Sequence, residues 1–155
     1  MNTNVRRATT SDIVGIYDLV QLYADRERLL PLSNEEILAK LGSFLVSEED
    51  HRLAGCVSLE VFTHELGEIR SLAVDPTMTG TGHGHSLVKQ VEAEARTLGL
   101  ERLMALTYVP SFFKKLGFRI VSMESLPEKV FGVCVICPRF DRCDEIAMVK
   151  LLNAD

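Results

Sequence analysis

Val74-Asp75-Pro76-Thr77-Met78-Thr79-Gly80-Thr81-Gly82-His83-Gly84-His85-Ser86-Leu87 joins an extended apolar run to a helical one. Upstream, residues 68–74 carry Ile69, Leu72, Ala73 and Val74; downstream, Leu87, Val88, Val91, Ala95 and Leu98 are spaced to share one helix face. The stretch therefore predicts a strand, a turn opened by Pro76, a glycine loop and a helix start. Gly80, Gly82 and Gly84 alternate, and glycine lets backbone amides approach a ligand with no Cβ in the way. Amides at a helix N-terminus lack intrahelical partners, and the helix dipole adds partial positive charge there. Together they predict an anion site, most naturally for a phosphate or pyrophosphate. A glycine-rich turn with no ligand is the plainer reading, but three glycines are costly in a mere connector.

Two familiar phosphate loops do not fit. The dinucleotide fingerprint requires G-x-G-x-x-G, whereas the spacing here is G-x-G-x-G with His85 at the next position. The nucleoside-triphosphate loop requires a Lys after its last glycine, and none follows.

With 155 residues the chain is expected to form one domain, residues 1–155, with a core that needs no staples. Hydrophobic residues make up 46% and charged residues 25%, as in ordinary globular proteins. A net charge of −5 without a Lys/Arg cluster argues against nucleic acid as a partner. The apolar runs are too short for a membrane span, and the polar start with Arg6 and Arg7 does not resemble a signal peptide. Four cysteines in such a chain point to a reducing, cytoplasmic setting.

The chain order follows from periodicity. Residues 4–8 read as a strand, and residues 12–24 as a helix with Ile13, Ile16, Tyr17, Val20 and Tyr23 at helical spacing. Ser33 and Glu36 form a capping box for a second helix ended by Gly42. Strands are expected at 44–47 and 53–62, joined by the polar turn 48–52, and then at 68–74. After the glycine-loop helix come a strand at 102–108, a short helix at 111–116, a strand at 118–121 and a last strand at 145–152. Three antiparallel strands followed by a β-α-β unit make a mixed α/β sheet with helices on both faces.

The loop 79–84 resembles the acyl-coenzyme A motif [QR]-x-x-G-x-[GA] of the GCN5-related N-acetyltransferase (GNAT) superfamily, which follows a strand ending in V-x-P, here Val74-x-Pro76. Thr79 stands where Gln or Arg is usual and offers a hydroxyl without charge. The resemblance covers almost the whole chain and implies the GNAT fold, acetyl-CoA as co-substrate, and a pantetheine arm between splayed strands ending near Val74 and Tyr108. It implies cofactor contacts from Leu72, Ala73, Val74, Thr79, Gly80, Thr81, Gly82, His83 and Gly84, with His83 a loop residue supplying its backbone amide. Within the superfamily, residues 67–76, 103–118 and 126–145 are similar to short, single-domain N-acetylglutamate synthases. These acetylate the α-amino group of L-glutamate, the first step of arginine biosynthesis.

Acyl transfer to an amine needs a base for the ammonium, donors for the oxyanion and an acid for the leaving thiolate. The resemblance makes Glu68, six residues before Val74, the catalytic base; the plainer reading is a strand-end Glu salt-bridged to Arg70. The family's acid Tyr is replaced by Phe113 in Phe112-Phe113-Lys114-Lys115-Leu116-Gly117-Phe118, so the acid stays open, and these phenylalanines read as core. Leu32 stands where the synthases carry an Arg for a substrate carboxylate; Arg70 and Lys129 are the replacement candidates. That departure leaves glutamine or another amine open as acceptor. Cys134-x-x-Cys137 and Cys143 fall short of the four ligands of structural zinc, so free thiols and no metal are expected, with Cys56 in the core. The resulting expectation is an amino-acid N-acetyltransferase acting on a small-molecule substrate, with a homodimer as the family-level guess for assembly. The alternatives are a GNAT enzyme for another small amine or a protein lysine, and a non-catalytic acyl-CoA-binding sensor.

Overall fold

The computed structural model describes residues 4–78, 82–122, 125 and 145–152. Thr79, Gly80, Thr81, Lys129, Cys134, Cys137 and Cys143 lie outside the described residues. The elements follow in the order β1 (Asn4–Arg7), α1 (Ile13–Ala24), α2 (Asn34–Ala39), β2 (Phe44–Glu49), β3 (Arg52–Val61), β4 (Leu66–Val74), α3 (His83–Thr97), β5 (Arg102–Thr107), α4 (Pro110–Lys115), β6 (Arg119–Ile120) and β7 (Ile146–Leu151). The strands form a seven-stranded mixed sheet in the order β1-β2-β3-β4-β5-β7-β6. The chain divides into two compact units, Met1–Glu60 with Ile69–Glu94, and Val61–Glu68 with Ala95–Asp155.

In the first unit β1, β2 and β3 pair antiparallel, with Val5 opposite Ser47 and Val46 opposite Cys56. Its core gathers Ile16, Leu19 and Val20 from α1, Ile37 from α2, and Phe44, Val46, Cys56 and Ala73 from the sheet. Burial of each such aliphatic side chain contributes about 1.5–3 kcal/mol. The expected polar turn 48–52 is tighter than its composition implies. β2 and β3 run on to Glu49 and Arg52, which face each other, leaving Asp50 and His51 alone at the tip. Both tip residues have positive φ, 52° and 65°, the twist that two-residue hairpins require. The register shifts between Ser47 and Glu48, which makes Ala54 an extra residue on β3.

Other boundaries moved for local reasons. Thr10–Asp12 forms a 3-10 turn, so the α-helix begins at Ile13 rather than at Asp12. Ser33 caps α2 as expected, with its hydroxyl accepting from the Glu36 amide at 3.1 Å and its own amide donating to Glu36 Oε1 at 2.9 Å. The helix stops at Ala39, and Gly42 belongs to the following 3-10 turn Leu41–Ser43. On α3, Leu87, Val88, Val91 and Ala95 are buried as their spacing predicts, but Leu98 is exposed because the helix ends at Thr97 and Leu100 turns inward instead.

In the second unit β7 pairs antiparallel with both β5 and β6, with Met104 opposite Val149 and Ile120 opposite Met148. Leu66, Met104, Ala147 and Val149 form its core, with Phe62, Leu106 and Val121 packed against them. The expected strand 118–121 shortens to Arg119–Ile120 because Phe118 instead turns into an edge-to-face contact with Phe113, centroids 5.2 Å apart. Phe113 is buried, as expected of a core residue.

The start of the chain is fastened by Arg6, which reaches Asp12 through two bonds of 2.8 and 2.9 Å and Glu48 through one of 3.0 Å. Asp12 is 8% exposed, and the Arg6 bonds hold its carboxyl below the ordinary 3.8, helped by the Thr9 amide and opposed by burial. A lowered carboxyl contributes stability in full above the ordinary value, and that contribution is lost as pH falls through the lowered one. Asp12→Asn should therefore reduce unfolding free energy by about 2 kcal/mol at neutral pH. The gap between variant and wild type should narrow below pH 3.8, as read by urea denaturation across pH. A gap that stays constant with pH would show that Asp12 acts by packing.

Candidate active site

β4 carries five of the residues that the sequence singles out, Glu68, Arg70, Leu72, Ala73 and Val74. Glu68, 5% exposed, lies in its first half, and Leu72, Ala73 and Val74 end it. Between them the strand departs from regular geometry: Ser71 has φ of 55° in the middle of an otherwise extended segment. A non-glycine residue there turns its neighbouring carbonyls away from the regular ladder, and buried carbonyls need donors. Side chains supply them. Ser58 Oγ donates to the Arg70 carbonyl at 3.2 Å, and Cys56 Sγ donates to that of Ser71 at 3.4 Å. Burial pushes the Cys56 thiol up to about 12, so it stays a neutral donor in the core, as the sequence reading expected of its position.

The end of β4 is held from α1. Tyr23 Oη donates to the Val74 carbonyl at 2.6 Å, and the Arg26 guanidinium sits 5.9 Å from the centre of the Tyr23 ring. Burial raises the Tyr23 phenol above its ordinary value, which keeps it a donor. In the sequence Tyr23 looked like one more residue of an apolar helix face, and the hydroxyl alone hinted at this bond. After Val74 the chain enters a 3-10 turn, Pro76–Met78. Asp75 organises that turn: its carboxylate accepts from the Thr77 hydroxyl at 2.7 Å and the Thr77 amide at 2.9 Å, and these bonds lower its pKa. The Asp75 amide donates to the carbonyl of the extra residue Ala54 at 2.7 Å. Gly55, next to Ala54, has no room for a side chain: a Cβ there would meet Leu87 Cδ1 at 2.9 Å and the Ala73 carbonyl at 3.1 Å.

Gly82 has φ of 92° and directly precedes the 15-residue helix α3. Glycine is favoured in that conformation, and the first amides of so long a helix have no intrahelical partners. The described part of the loop therefore fits a diphosphate. His83 departs from expectation. It is the first residue of α3 rather than a loop residue, its ring is 1% exposed, and Nε2 lies 2.8 Å from Glu49 Oε1. Gly84 follows in the helix, and His85 is exposed. Arg70 is not an open cation: its guanidinium lies 3.7 Å from Glu60 Oε1, which also faces Lys40 Nζ at 3.6 Å. Among the described residues no group of His, Cys, Asp and Glu could hold a metal. No described helix is long and apolar enough to cross a membrane.

Comparison with known proteins extends this geometry. The chain is 35% identical over 151 residues to an uncharacterized N-acetyltransferase of Chlorobaculum tepidum, covering 97% of each. It is 38% identical over 140 residues to an amino-acid acetyltransferase of Mycobacterium tuberculosis, covering 88% of this chain and 79% of that one. The crystal structure of N-acetylglutamate synthase from Neisseria gonorrhoeae, complexed with coenzyme A and N-acetyl-glutamate, superposes with a TM-score of 0.90 at 29% identity, over 99% of this chain and 36% of the synthase. Residues 13–118 match the model of the acetyltransferase (GNAT) family. A strand, a tight turn, a positive-φ glycine and a long helix in succession are thus the parts of an acyl-CoA acyltransferase, and the chain belongs to the acetyltransferase (GNAT) family.

Proposed function

We propose that this protein, acting as one N-acetyltransferase domain, transfers the acetyl group of acetyl-CoA to the α-amino group of an amino acid, with L-glutamate the preferred acceptor. The observation that carries the reading is β4 itself, with a buried Glu68 in its first half and a segment leading to Gly82 and the start of α3 at its end. Relatives named amino-acid acetyltransferase and a synthase structure holding coenzyme A and N-acetyl-glutamate support the acceptor class. Such an enzyme would serve arginine biosynthesis in the cytoplasm.

The roles follow from chemistry. The α-ammonium of an amino acid cannot attack a thioester until it loses a proton, and Glu68 is assigned as the base that takes it. Backbone amides of Leu72, Ala73 and Val74 are assigned to the oxyanion and the pantetheine arm. The segment from Thr79 through Gly84 at the start of α3 is assigned to the diphosphate, with Thr79 giving a hydroxyl where the family more often has a charge. Arg70, with Lys129, is assigned to the acceptor's carboxylates. Coenzyme A thiolate is a stable leaving group, so solvent can protonate it where Phe113 replaces the family's Tyr.

A second acceptor reading rests on one residue, Glu60. Glu60 already lies on Arg70 and Lys40, which offsets the positive charge a second substrate carboxylate would seek. A neutral side chain such as glutamine's then becomes competitive.

Three measurements test these assignments. Gly82→Asp adds bulk and negative charge at a φ that aspartate rarely adopts, and calorimetry should find coenzyme A binding abolished. Unchanged affinity would remove the basis of the cofactor assignment. Glu68→Gln should keep coenzyme A binding while turnover falls by roughly 10²–10⁴-fold, recovering in part as pH rises and free amine accumulates. Normal turnover at neutral pH would leave Glu68 a structural residue. Arg70→Ala should raise KM for glutamate more than for glutamine, and Glu60→Gln should lower KM for glutamate alone. A wild type that prefers glutamine would favour the second acceptor and leave the acetyltransferase reading standing.

A further inference from the structure

His83 is a buried imidazole with a single polar contact among the described residues. Nε2 lies 2.8 Å from Glu49 Oε1, while Nδ1 meets no hydrogen-bonding partner among the described residues. A carboxylate oxygen accepts, so Nε2 is the donor in this bond and Nδ1 is the ring nitrogen left over. As space-filling this is a poor choice, because an apolar side chain would occupy the same volume without burying an unsatisfied nitrogen. A hydrogen bond adds what packing lacks, a fixed direction.

Both ends of that bond sit on structure that matters. His83 opens α3 immediately after Gly82, so its own backbone belongs to the helix N-terminus. Glu49 ends β2 beside the two-residue turn Asp50–His51, whose paired positive φ values define the tip of the hairpin. The same hairpin also holds the other flank of the loop, through the Ala54 carbonyl on the Asp75 amide and Arg52 3.8 Å from the Asp75 carboxylate.

We propose that His83 is a positioning residue for the acyl donor: its bond to Glu49 fixes the first turn of α3 so that the amides there meet the diphosphate. The inference rests on the reading of this loop as the acyl-CoA site. It assigns His83 a side-chain role beyond its backbone amide, and it gives Glu49 a role in a strand that carries no other part of the site.

The test compares coenzyme A with pantetheine, which lacks the diphosphate and the 3′-phosphoadenosine attached to it. Coenzyme A and pantetheine are titrated calorimetrically into wild type, His83→Leu, His83→Gln and Glu49→Ala. His83→Leu and Glu49→Ala should weaken coenzyme A about tenfold, the size of one charge-assisted hydrogen bond, and leave pantetheine unchanged. His83→Gln keeps a side-chain N–H that can reach Glu49 and should recover most of the loss. In steady state KM for acetyl-CoA should rise about tenfold in His83→Leu while kcat stays within about twofold. The double variant should be no weaker than either single one, since both remove the same bond. Equal coenzyme A affinity in wild type and variants overturns the proposal, as do equal losses for coenzyme A and pantetheine, which mean general damage to the fold. Should His83→Leu not fold, the half-buried Glu49→Ala carries the same comparison. A wild type that binds no coenzyme A overturns the reading of the loop and this inference with it.

Discussion

At Ser71 the backbone of β4 leaves the extended conformation, and the carbonyls around it need donors from outside the ladder. That constraint selects the neighbours. Ser58 and Cys56 from β3 take the carbonyls of Arg70 and Ser71, and Tyr23 from α1 takes that of Val74. Each donor stays protonated in its surroundings, since burial raises both the thiol of Cys56 and the phenol of Tyr23. A strand interrupted in this way presents backbone groups to a ligand that a regular central strand would spend on its partners. The local strain is tolerated because three separate side chains over-determine the geometry.

The β2–β3 hairpin is the second reference frame. One extra residue at Ala54 frees a carbonyl for the Asp75 amide, and Glu49 at the end of β2 meets His83 at the start of α3. The two flanks of the glycine loop are thereby referred to one rigid element. Sites supported by strands and helices hold ligand-binding amides more closely than free loops do. Gly55 shows how little slack remains, because even a methyl group there would press on the Ala73 carbonyl.

The acceptor is decided on a different scale. Family membership follows from the loop and its scaffold, but one fold serves many amines. Around Arg70 the local charge is balanced by Glu60, whose Oε1 lies 3.7 Å from the guanidinium and 3.6 Å from Lys40 Nζ. These side chains are partly exposed, where each ion pair is worth about 0–1 kcal/mol.

Local chemistry is what the sequence by itself determined. Helix periodicity placed α1 and α3, the Ser33–Glu36 box placed the start of α2, and the Val74-to-Leu87 stretch announced strand, turn, glycine and helix together with the family. Each of these depends on residues within a few positions of one another, so the signal survives in one dimension. The details that escaped are products of packing between distant segments. A positive φ at Ser71, the narrow turn at Asp50–His51, and the shift from Leu98 to Leu100 at the helix exit answer to strand pairing and core space rather than to residue type. The sequence pattern places His83 in the loop, whereas it opens α3, and neither its burial nor its bond to Glu49, 34 positions away, was legible. Only the tertiary structure brings a hairpin end against a helix start, because which carboxylate meets a buried imidazole is fixed by sheet register, and register is a property of paired strands.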